Sequence, residues 1–246
     1  MTVMSKSKEY FEKVSSILAE VSEMPEVRKC AELFAETLKN GRNIFLFGTG
    51  HSHMLAEEMF YRAGGLVNIR PILETSLMLH ESASKSTEIE RLSGYAEIIL
   101  EHYGVAEGDT IVIISNSGRN SVCVETALLC KEKGVNVVAL TSVTHSMAGE
   151  SRHSSGKRLC EIADIVMDNH GCYGDACISV EEIGKIVSPT STVIGAAILN
   201  AIEAECVDIL VKQGIEPDVF SSSNVDGGDE INNRYIKKYS GEIRHL

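Results

Sequence analysis

The sequence predicts a doubly wound α/β fold, in which a mainly parallel sheet lies between two layers of helices. Short, almost entirely apolar segments recur along the chain and alternate with helical patterns. Strands that are apolar on both faces are typical of a parallel sheet covered by helices on both sides. Right-handed crossovers then wind such a chain into a three-layer αβα sandwich. Two of the apolar segments run directly into small polar residues and glycine, at 48–53 and 115–121.

The N-terminal part of the chain is predicted to be helical. Apolar residues over 5–39 recur with a period of 3.6, and Pro25 divides the stretch in two because proline fits the first turn of a helix but not its interior. Asn40 and Gly41 supply a left-handed C-terminal cap. A strand then follows at 43–50, a helix at 52–64 and a second strand at 66–73.

The rest of the chain continues the alternation of strands and helices. Residues 74–90 are polar and irregular and predict a long loop with room for one short helix. We expect one domain over 1–246, made of a helical extension (1–40), an αβα core (41–213) and a tail (214–246). The remaining predicted elements are a helix around 90–103, strands at 110–115, 135–141 and 162–169, a loop at 170–188, and helices at 120–133, 190–213 and 229–239.

Composition excludes several classes of function. The chain carries 35 acidic and 23 basic residues, a net charge of −12, which disfavours nucleic acid and anionic lipid as partners. No apolar run reaches the roughly 18 residues of a membrane span, and the N-terminal stretch has no signal-peptide core, so we expect a cytoplasmic protein. Seven cysteines argue against a disulfide framework. The C-x4-C pair Cys172 and Cys177 is a weak zinc signal, and we expect no metal and no cofactor.

The two strand-end loops are the strongest functional signal. Both "GTGHSH" (48–53) and "SNSGRNS" (115–121) precede helices, whose free N–H groups and dipole favour an anion. Glycine lets the backbone approach a ligand closely, and hydroxyl or amide side chains can donate to phosphate oxygens. The predicted phosphate site therefore comprises Gly50, Ser52, Ser115, Asn116, Ser117, Gly118 and Asn120, with Gly48 and Ser121 beside it.

Neither loop matches a nucleotide-binding motif. The first lacks the third glycine of a dinucleotide fingerprint, and no acidic residue closes the second strand. No Gly-Lys-Ser/Thr of a Walker loop occurs. For either loop alone, helix capping by Ser and Asn is an equally good interpretation; two such loops at corresponding strand ends favour a ligand site.

These segments resemble the SIS (sugar isomerase) domain family. The resemblance covers about 40–200 and depends mainly on "GTGHS", on "SNSGRN" and on "KEKGVNVVALTS". It implies phosphate contacts from Ser52, Ser115, Ser117 and Asn120, although several family members have Ser or Thr where Asn120 stands. "GTGHSHMLAEEMFYRAGG" and "NVDGGDEIN" also resemble a bacterial group of single-SIS-domain proteins of unassigned activity.

The resemblance implies a sugar-phosphate isomerase. Aldose–ketose isomerisation needs a base to move a proton between C1 and C2, and an acid–base group to open the ring. Glu57 and Glu58 lie on the helix after Ser52, off its apolar stripe, and are the candidate bases; Glu58 is preferred. In the resembling isomerases the carboxylate lies further along this helix, at the depth where this chain has Arg62. The candidate histidines are His51, His53 and His80, and His51 or His80 is assigned to ring opening.

Ligand and partners follow from the same resemblance. We expect a hexose, heptose or amino-sugar phosphate as ligand, and a homodimer or homotetramer with its sites near the subunit interface. Helix 190–213 is apolar nearly all round, its start "SPTST" could also face the sugar, and we expect Glu203 and Glu205 to face polar surroundings. Segment 221–232 either folds over a neighbouring site or forms a turn before an Asp229-capped helix. An amino-sugar-phosphate etherase or lyase and a non-catalytic sugar-phosphate sensor remain alternatives.

Overall fold

The computed structural model describes residues 5–246 and consists of a central sheet, helices on both of its faces, and a separate hairpin. The strands are β1 (Ile44–Gly48), β2 (Ile69–Ile72), β3 (Thr110–Ile114), β4 (Asn136–Thr141), β5 (Ile165–Asp168), β6 (Ala176–Val180) and β7 (Lys185–Pro189). The α-helices are α1 (Lys6–Ser22), α2 (Pro25–Lys39), α3 (His53–Met59), α4 (Ala83–Ile89), α5 (Tyr95–Tyr103), α6 (Ser121–Glu132), α7 (Val143–Met147), α8 (Ser191–Lys212) and α9 (Gly228–Tyr239).

The central sheet confirms the predicted fold class. Its five strands are all parallel and run in the order β2-β1-β3-β4-β5. Alternate residues of β1 enter different cores: Ile44 and Leu46 pack with α1, α2, α3 and α8, whereas Phe45 and Phe47 pack with α5 and α6. Burial of both faces explains why the strands are apolar throughout.

The N-terminal helices divide where proline predicts. Pro25 is the first residue of α2, and Gly41 follows the helix with φ +67°. Buried side chains of both helices, among them Ile17 and Phe34, belong to the same core as the sheet and α8. Within 5–246, no helix has the length and apolar character needed to cross a bilayer.

Helix α3 is shorter than the predicted 52–64. It ends at Met59, and Tyr61 takes a left-handed conformation with φ +51°. The chain then pairs with a distant segment, because Gly64 N donates to Phe220 O (2.8 Å) and Val67 N donates to Asp218 O (3.0 Å). Strand β2 therefore starts only at Ile69. The local sequence periodicity that predicted the longer helix carries no information about this long-range pairing.

The predicted loop at 170–188 is wrong in its second half. Strands β6 and β7 form an antiparallel hairpin there, closed by a turn in which Gly184 has φ +60°. The hairpin packs against α1, where the Tyr10 hydroxyl donates to Pro189 O (2.9 Å). It leads directly into α8 and so sets the start of that helix.

The C-terminal residues pack on their own chain. Phe220, Tyr239 and Ile243 form a small core with Val67, and Asn232 exchanges hydrogen bonds with the backbone of Ser221 (both 2.9 Å). The turn before α9 is present, but the residue that caps the helix is Gly227, with φ +81°, and not the predicted Asp229.

Candidate functional site

The loops after β1 and β3 lie side by side at the carboxyl edge of the sheet. The two strands are paired in parallel up to Gly48 and Ile114, so both loops leave the sheet at the same level. They share a small cavity of about 20 Å³, enough for a single water-sized group. The cavity is lined by Ser52, Leu55, Ile114, Asn116, Leu140, Asn169, Ser191 and Thr192.

The β3 loop has a fixed geometry. Gly118 takes φ +57°, and its N–H donates to the Ser115 hydroxyl oxygen at 3.1 Å. Leu159 N donates to Gly118 O at 2.8 Å, which attaches the loop to a later segment. Ser115 is thus buried and engaged within its own loop, whereas Ser117 and Ser52 are only half-buried and are reachable by a ligand.

Asn116 links this loop to the neighbouring strand ends. Its Oδ1 accepts a hydrogen bond from Asn169 Nδ2 (2.9 Å), and its backbone carbonyl accepts from the Thr141 hydroxyl and from Ser142 N, both at 3.2 Å. Gly171 N in turn donates to Asn169 Oδ1 (2.9 Å). The cavity floor is therefore a connected polar network across the ends of β3, β4 and β5.

Asn120, the other amide of the loop, is engaged by an arginine. It is only 6% exposed, and its Oδ1 accepts a hydrogen bond from Arg152 Nη1 at 2.7 Å. Arg152 comes from the Ser- and His-rich stretch after α7, which the sequence did not connect with this loop.

A carboxylate that the sequence did not single out approaches the same loops. Glu90 Oε2 accepts a hydrogen bond from the hydroxyl of Thr49, a buried residue of the first loop, at 2.7 Å. The nearby Cys123 thiol is fully buried, and burial raises its pKa to about 12. That thiol is therefore not a nucleophile at neutral pH.

The two candidate bases on α3 lie in different surroundings. Glu57 is exposed, with Oε1 3.8 Å from His53 Nε2. Glu58 is half-buried and faces α8: its Oε2 accepts from Arg62 Nη1 (2.9 Å) and its Oε1 from Asn200 Nδ2 (3.2 Å). Neither carboxylate lines the cavity.

The candidate histidines lie at the outer edge. His51 and His80 are both exposed. His53 is the buried member of the first loop, with Nδ1 against Gly50 O, and its ring meets that of His80 edge-on with centroids 6.4 Å apart. The structure thus pairs His80 with His53 rather than with His51.

The start of α8 faces the cavity, as "SPTST" suggests. Ser191 and Thr192 line it. The helix N-terminus is capped by Asp175, whose Oδ1 accepts from Thr190 N (3.2 Å) and Ser191 N (2.9 Å) and whose Oδ2 accepts from the Ser191 hydroxyl (2.5 Å).

The prediction that Glu203 faces polar surroundings is wrong. This residue is only 6% exposed and accepts a hydrogen bond from Leu66 N at 2.5 Å. Burial raises the pKa of its carboxyl, against the opposing effects of the Leu66 N–H and of Arg62. Glu205, by contrast, pairs with Arg28 at the surface (2.5 Å). Only the environment of Glu205 matches the expectation.

The cysteines and histidines do not gather into a cluster. Over the described range, no group of three or more His, Cys, Asp or Glu side chains is arranged to hold a metal ion. The thiols of Cys172 and Cys177 donate to the backbone carbonyls of Ala176 (3.0 Å) and Ser188 (3.2 Å) within the hairpin region.

A parallel five-stranded sheet with helices on both faces and a polar cavity at its strand tips defines a doubly wound α/β protein. The SIS domain model matches residues 9–142. UPF0309 protein GK1441 of Geobacillus kaustophilus is 44% identical over 237 residues, covering 96% of this chain and 94% of the relative. UPF0309 protein ABC0887 of Shouchella clausii is 42% identical, covering 99% of this chain and all of the relative. The chain belongs to the SIS domain family and, within it, to the UPF0309 group.

Solved structures show the same fold. A phosphoheptose isomerase from Francisella tularensis matches with a TM-score of 0.51 at 18% identity, over 86% of this chain and 100% of its own. The phosphoheptose isomerase of Neisseria gonorrhoeae matches with a TM-score of 0.50 at 18% identity, over 83% of this chain and 96% of its own. The family resemblance inferred from the two loops is confirmed by the SIS domain model and by the UPF0309 relatives.

Proposed function

We propose that this protein binds a sugar phosphate at the loops after β1 and β3 and interconverts its aldose and ketose forms. The main supporting observation is that the two loops lie side by side at the carboxyl edge of the sheet, where Ser52 and Ser117 are only half-buried. The family membership and the phosphoheptose isomerase folds support the same ligand class. In this proposal the phosphate lies at the N-terminal turn of α6, with Ser117 and Ser52 as hydroxyl donors.

The proposed chemistry needs only acid–base groups and no cofactor. A carboxylate moves the proton between C1 and C2, and a histidine assists ring opening. Glu58 is the preferred base because it is half-buried between α3 and α8, while Glu57 is exposed. His80 is the preferred ring-opening residue, since it lies against His53 of the first loop; His51 is the alternative. Glu58 must exchange its contact with Arg62 for one with the substrate.

The first experiment is a thermal-shift screen of sugar phosphates against their unphosphorylated counterparts. A ligand at 100 times its Kd, bound only by the native protein, adds about 2.7 kcal/mol of stability. For a domain of this size that raises Tm by roughly 5 to 10 °C. Equal shifts with phosphorylated and unphosphorylated sugars would rule out a phosphate site.

The second experiment tests catalysis on the ligands found by the first. Wild-type protein should exchange deuterium from solvent into C2 of its substrate. Glu58→Gln and Glu57→Gln should keep binding, and at least one should lose exchange, while Glu88→Gln on the exposed face of α4 serves as the matched control. Binding without exchange for every hexose and heptose phosphate would refute the isomerase while retaining the binding site.

A sugar-phosphate sensor without turnover is the second candidate. It is favoured by the contacts of Glu58, whose two oxygens are both occupied by Arg62 and Asn200. Both contacts must be released before this carboxylate can accept a proton from a substrate. Binding without deuterium exchange is the outcome that selects this candidate.

We also propose that the protein assembles as a homodimer or homotetramer. Apolar side chains that a monomer would expose lie on α1, the β6–β7 hairpin and the start of α8: Phe11, Ile183, Ile186, Val187 and Val193. Exposed apolar groups of this kind mark interaction sites. Light scattering of wild type and Ile186→Asp tests this: a wild-type monomer contradicts the proposal, and dissociation of the variant supports it.

A further inference from the structure

Three arginines converge beside the β3 loop. Arg119 belongs to that loop, and its carbonyl accepts a hydrogen bond from Arg152 N at 2.9 Å. Arg91 follows Glu90, whose carbonyl accepts from Val122 N (3.1 Å) in the first turn of α6. Backbone hydrogen bonds thus hold three separate segments around the end of α6 where the proposed phosphate lies.

The guanidinium groups of Arg119 and Arg91 lie close enough to that of Arg152 for their charges to act on it. Arg152 donates to Asn120 Oδ1 at 2.7 Å, and the Arg119 side chain lies directly over Gly149, where a Cβ would overlap it. Burial lowers the pKa of Arg152, and the positive charges of Arg119 and Arg91 lower it further. Each of the three cations is therefore within electrostatic reach of another.

These arginines lack the acidic partners that arginines elsewhere in the molecule have. Arg62 and Arg158 pair with Glu58 and Glu161. Within 5–246, no carboxylate lies within 4.0 Å of the guanidinium nitrogens of Arg91, Arg119 or Arg152, although the chain has 35 acidic residues. Glu90, the acidic neighbour that raises the pKa of Arg152, is already engaged by Thr49.

An anion bound between like charges relieves their mutual repulsion. Guanidinium groups match carboxylate and phosphate oxygens with paired donors. The phosphate of the proposed ligand is already served by hydroxyls and by the N–H groups of α6, so three further cations exceed what one phosphate needs.

We propose that Arg91, Arg119 and Arg152 form a second anion subsite beside the β3 loop, and that the ligand is a sugar phosphate carrying a second anionic group, either a carboxylate or another phosphate. This inference rests on the proposed function, because the first phosphate locates the ligand. Asn120 is the positioning residue that fixes Arg152 at the junction of the two subsites.

Isothermal titration with matched ligand pairs tests the subsite. The pairs are fructose 6-phosphate with fructose 1,6-bisphosphate, and glucose 6-phosphate with 6-phosphogluconate, all at constant ionic strength. Wild type should bind the second member of at least one pair about tenfold more tightly, which corresponds to about 1.4 kcal/mol. Arg152→Gln and Arg119→Gln should abolish this preference while changing the monophosphate Kd less than about threefold.

Two further variants serve as controls, one for loss of a positive charge elsewhere on the surface and one for the donor geometry of Arg152. Arg234→Gln removes the same charge from the exposed face of α9 and should behave as wild type. Arg152→Lys keeps the charge but not the forked donors, and should retain part of the preference.

Each outcome has one interpretation. Monophosphate binding without any preference in wild type overturns the second subsite and leaves the proposed function intact. Equal loss of monophosphate and doubly anionic ligand in Arg152→Gln assigns the arginine to the first phosphate and also overturns the subsite. Failure of every phosphorylated sugar to bind removes both proposals.

Discussion

Gly118 offers the sharpest test of the β3 loop geometry. It takes φ +57°, and a Cβ at this position would lie 3.0 Å from the Ser146 hydroxyl and 3.2 Å from that of Thr141. A non-glycine residue in the left-handed region costs about 1–2 kcal/mol, and overpacking of a buried site adds about 1–3 kcal/mol. We therefore expect Gly118→Ala to lower the free energy of unfolding by about 3 kcal/mol.

Gly156→Ala is the matched control for this substitution. Gly156 has a similar φ of +71°, but a Cβ there would meet no atom within 4 Å. The control should therefore lose only the backbone contribution, about 1–2 kcal/mol. Urea denaturation at pH 7 measures both variants against wild type, and thermal shift with the best sugar phosphate measures what remains of binding.

Equal destabilisation by the two alanines would refute the reasoning about Gly118. It would mean that the loop has room for a Cβ and that Ser146 and Thr141 do not confine it. A Gly118→Ala protein that keeps the full ligand-induced Tm shift would separately contradict the placement of phosphate at this loop, since we expect the loop to shift away from Ser146 and Thr141 when it admits the methyl group.

Two further substitutions test buried features outside the cavity. Burial raises the pKa of Glu203, so its contribution to stability is present below the ordinary carboxyl pKa and is lost as pH rises through the raised value. The Glu203→Gln side chain stays neutral and can still accept the hydrogen bond from Leu66 N. In urea unfolding the variant should be more stable than wild type at pH 8 and should show no such gain at pH 4. An equal difference in unfolding free energy at the two pH values would contradict burial of the charged carboxylate. Gly228→Ala would place a Cβ against Ser222 O and should cost about 3 kcal/mol. Gly227→Ala, which meets open space, should cost only about 1–2 kcal/mol, and circular dichroism melts that rank the two the other way would contradict the packing of this turn.

The fold was predictable because both faces of its strands are buried. In β1, Ile44 and Leu46 serve one core while Phe45 and Phe47 serve the other, and that double burial leaves an unbroken apolar run in the sequence. The hairpin β6–β7 left a weaker signal, two short runs around a turn that contains Gly184. Its strands are half exposed, so their pattern resembles that of a loop.

The candidate site was predictable only where it follows the strand ends. Ser52 and Asn116 leave neighbouring parallel strands and necessarily approach one another. Glu90 and Arg152 reach the same loops from irregular segments, through single side-chain contacts with Thr49 and Asn120. Contacts made between distant irregular segments have no periodicity, and therefore nothing in the sequence marks them.

Burial of Glu203 was hidden for a related reason. It lies on α8, which is apolar nearly all round, so its position gives no polar face to assign it to. Its hydrogen-bond partner, Leu66 N, becomes available because α3 ends early and the chain turns at Tyr61. A prediction that α3 continues to residue 64 therefore also hides the contact between Glu203 and Leu66 N.

The net charge of −12 and the proposed anion site are compatible because they act over different distances. At physiological ionic strength the field of exposed charges decays over about 8 Å, so carboxylates spread over the surface contribute little at the loops after β1 and β3. Arg152, by contrast, is within hydrogen-bond distance of the loop itself, and the first turn of α6 points its N–H groups at the same place. Raising the salt concentration should therefore weaken binding of the doubly anionic ligand through the local cations rather than strengthen it by screening the acidic exterior. Whether the affinity falls or rises with salt concentration therefore shows whether the local arginines or the acidic surface dominates the potential at the ligand.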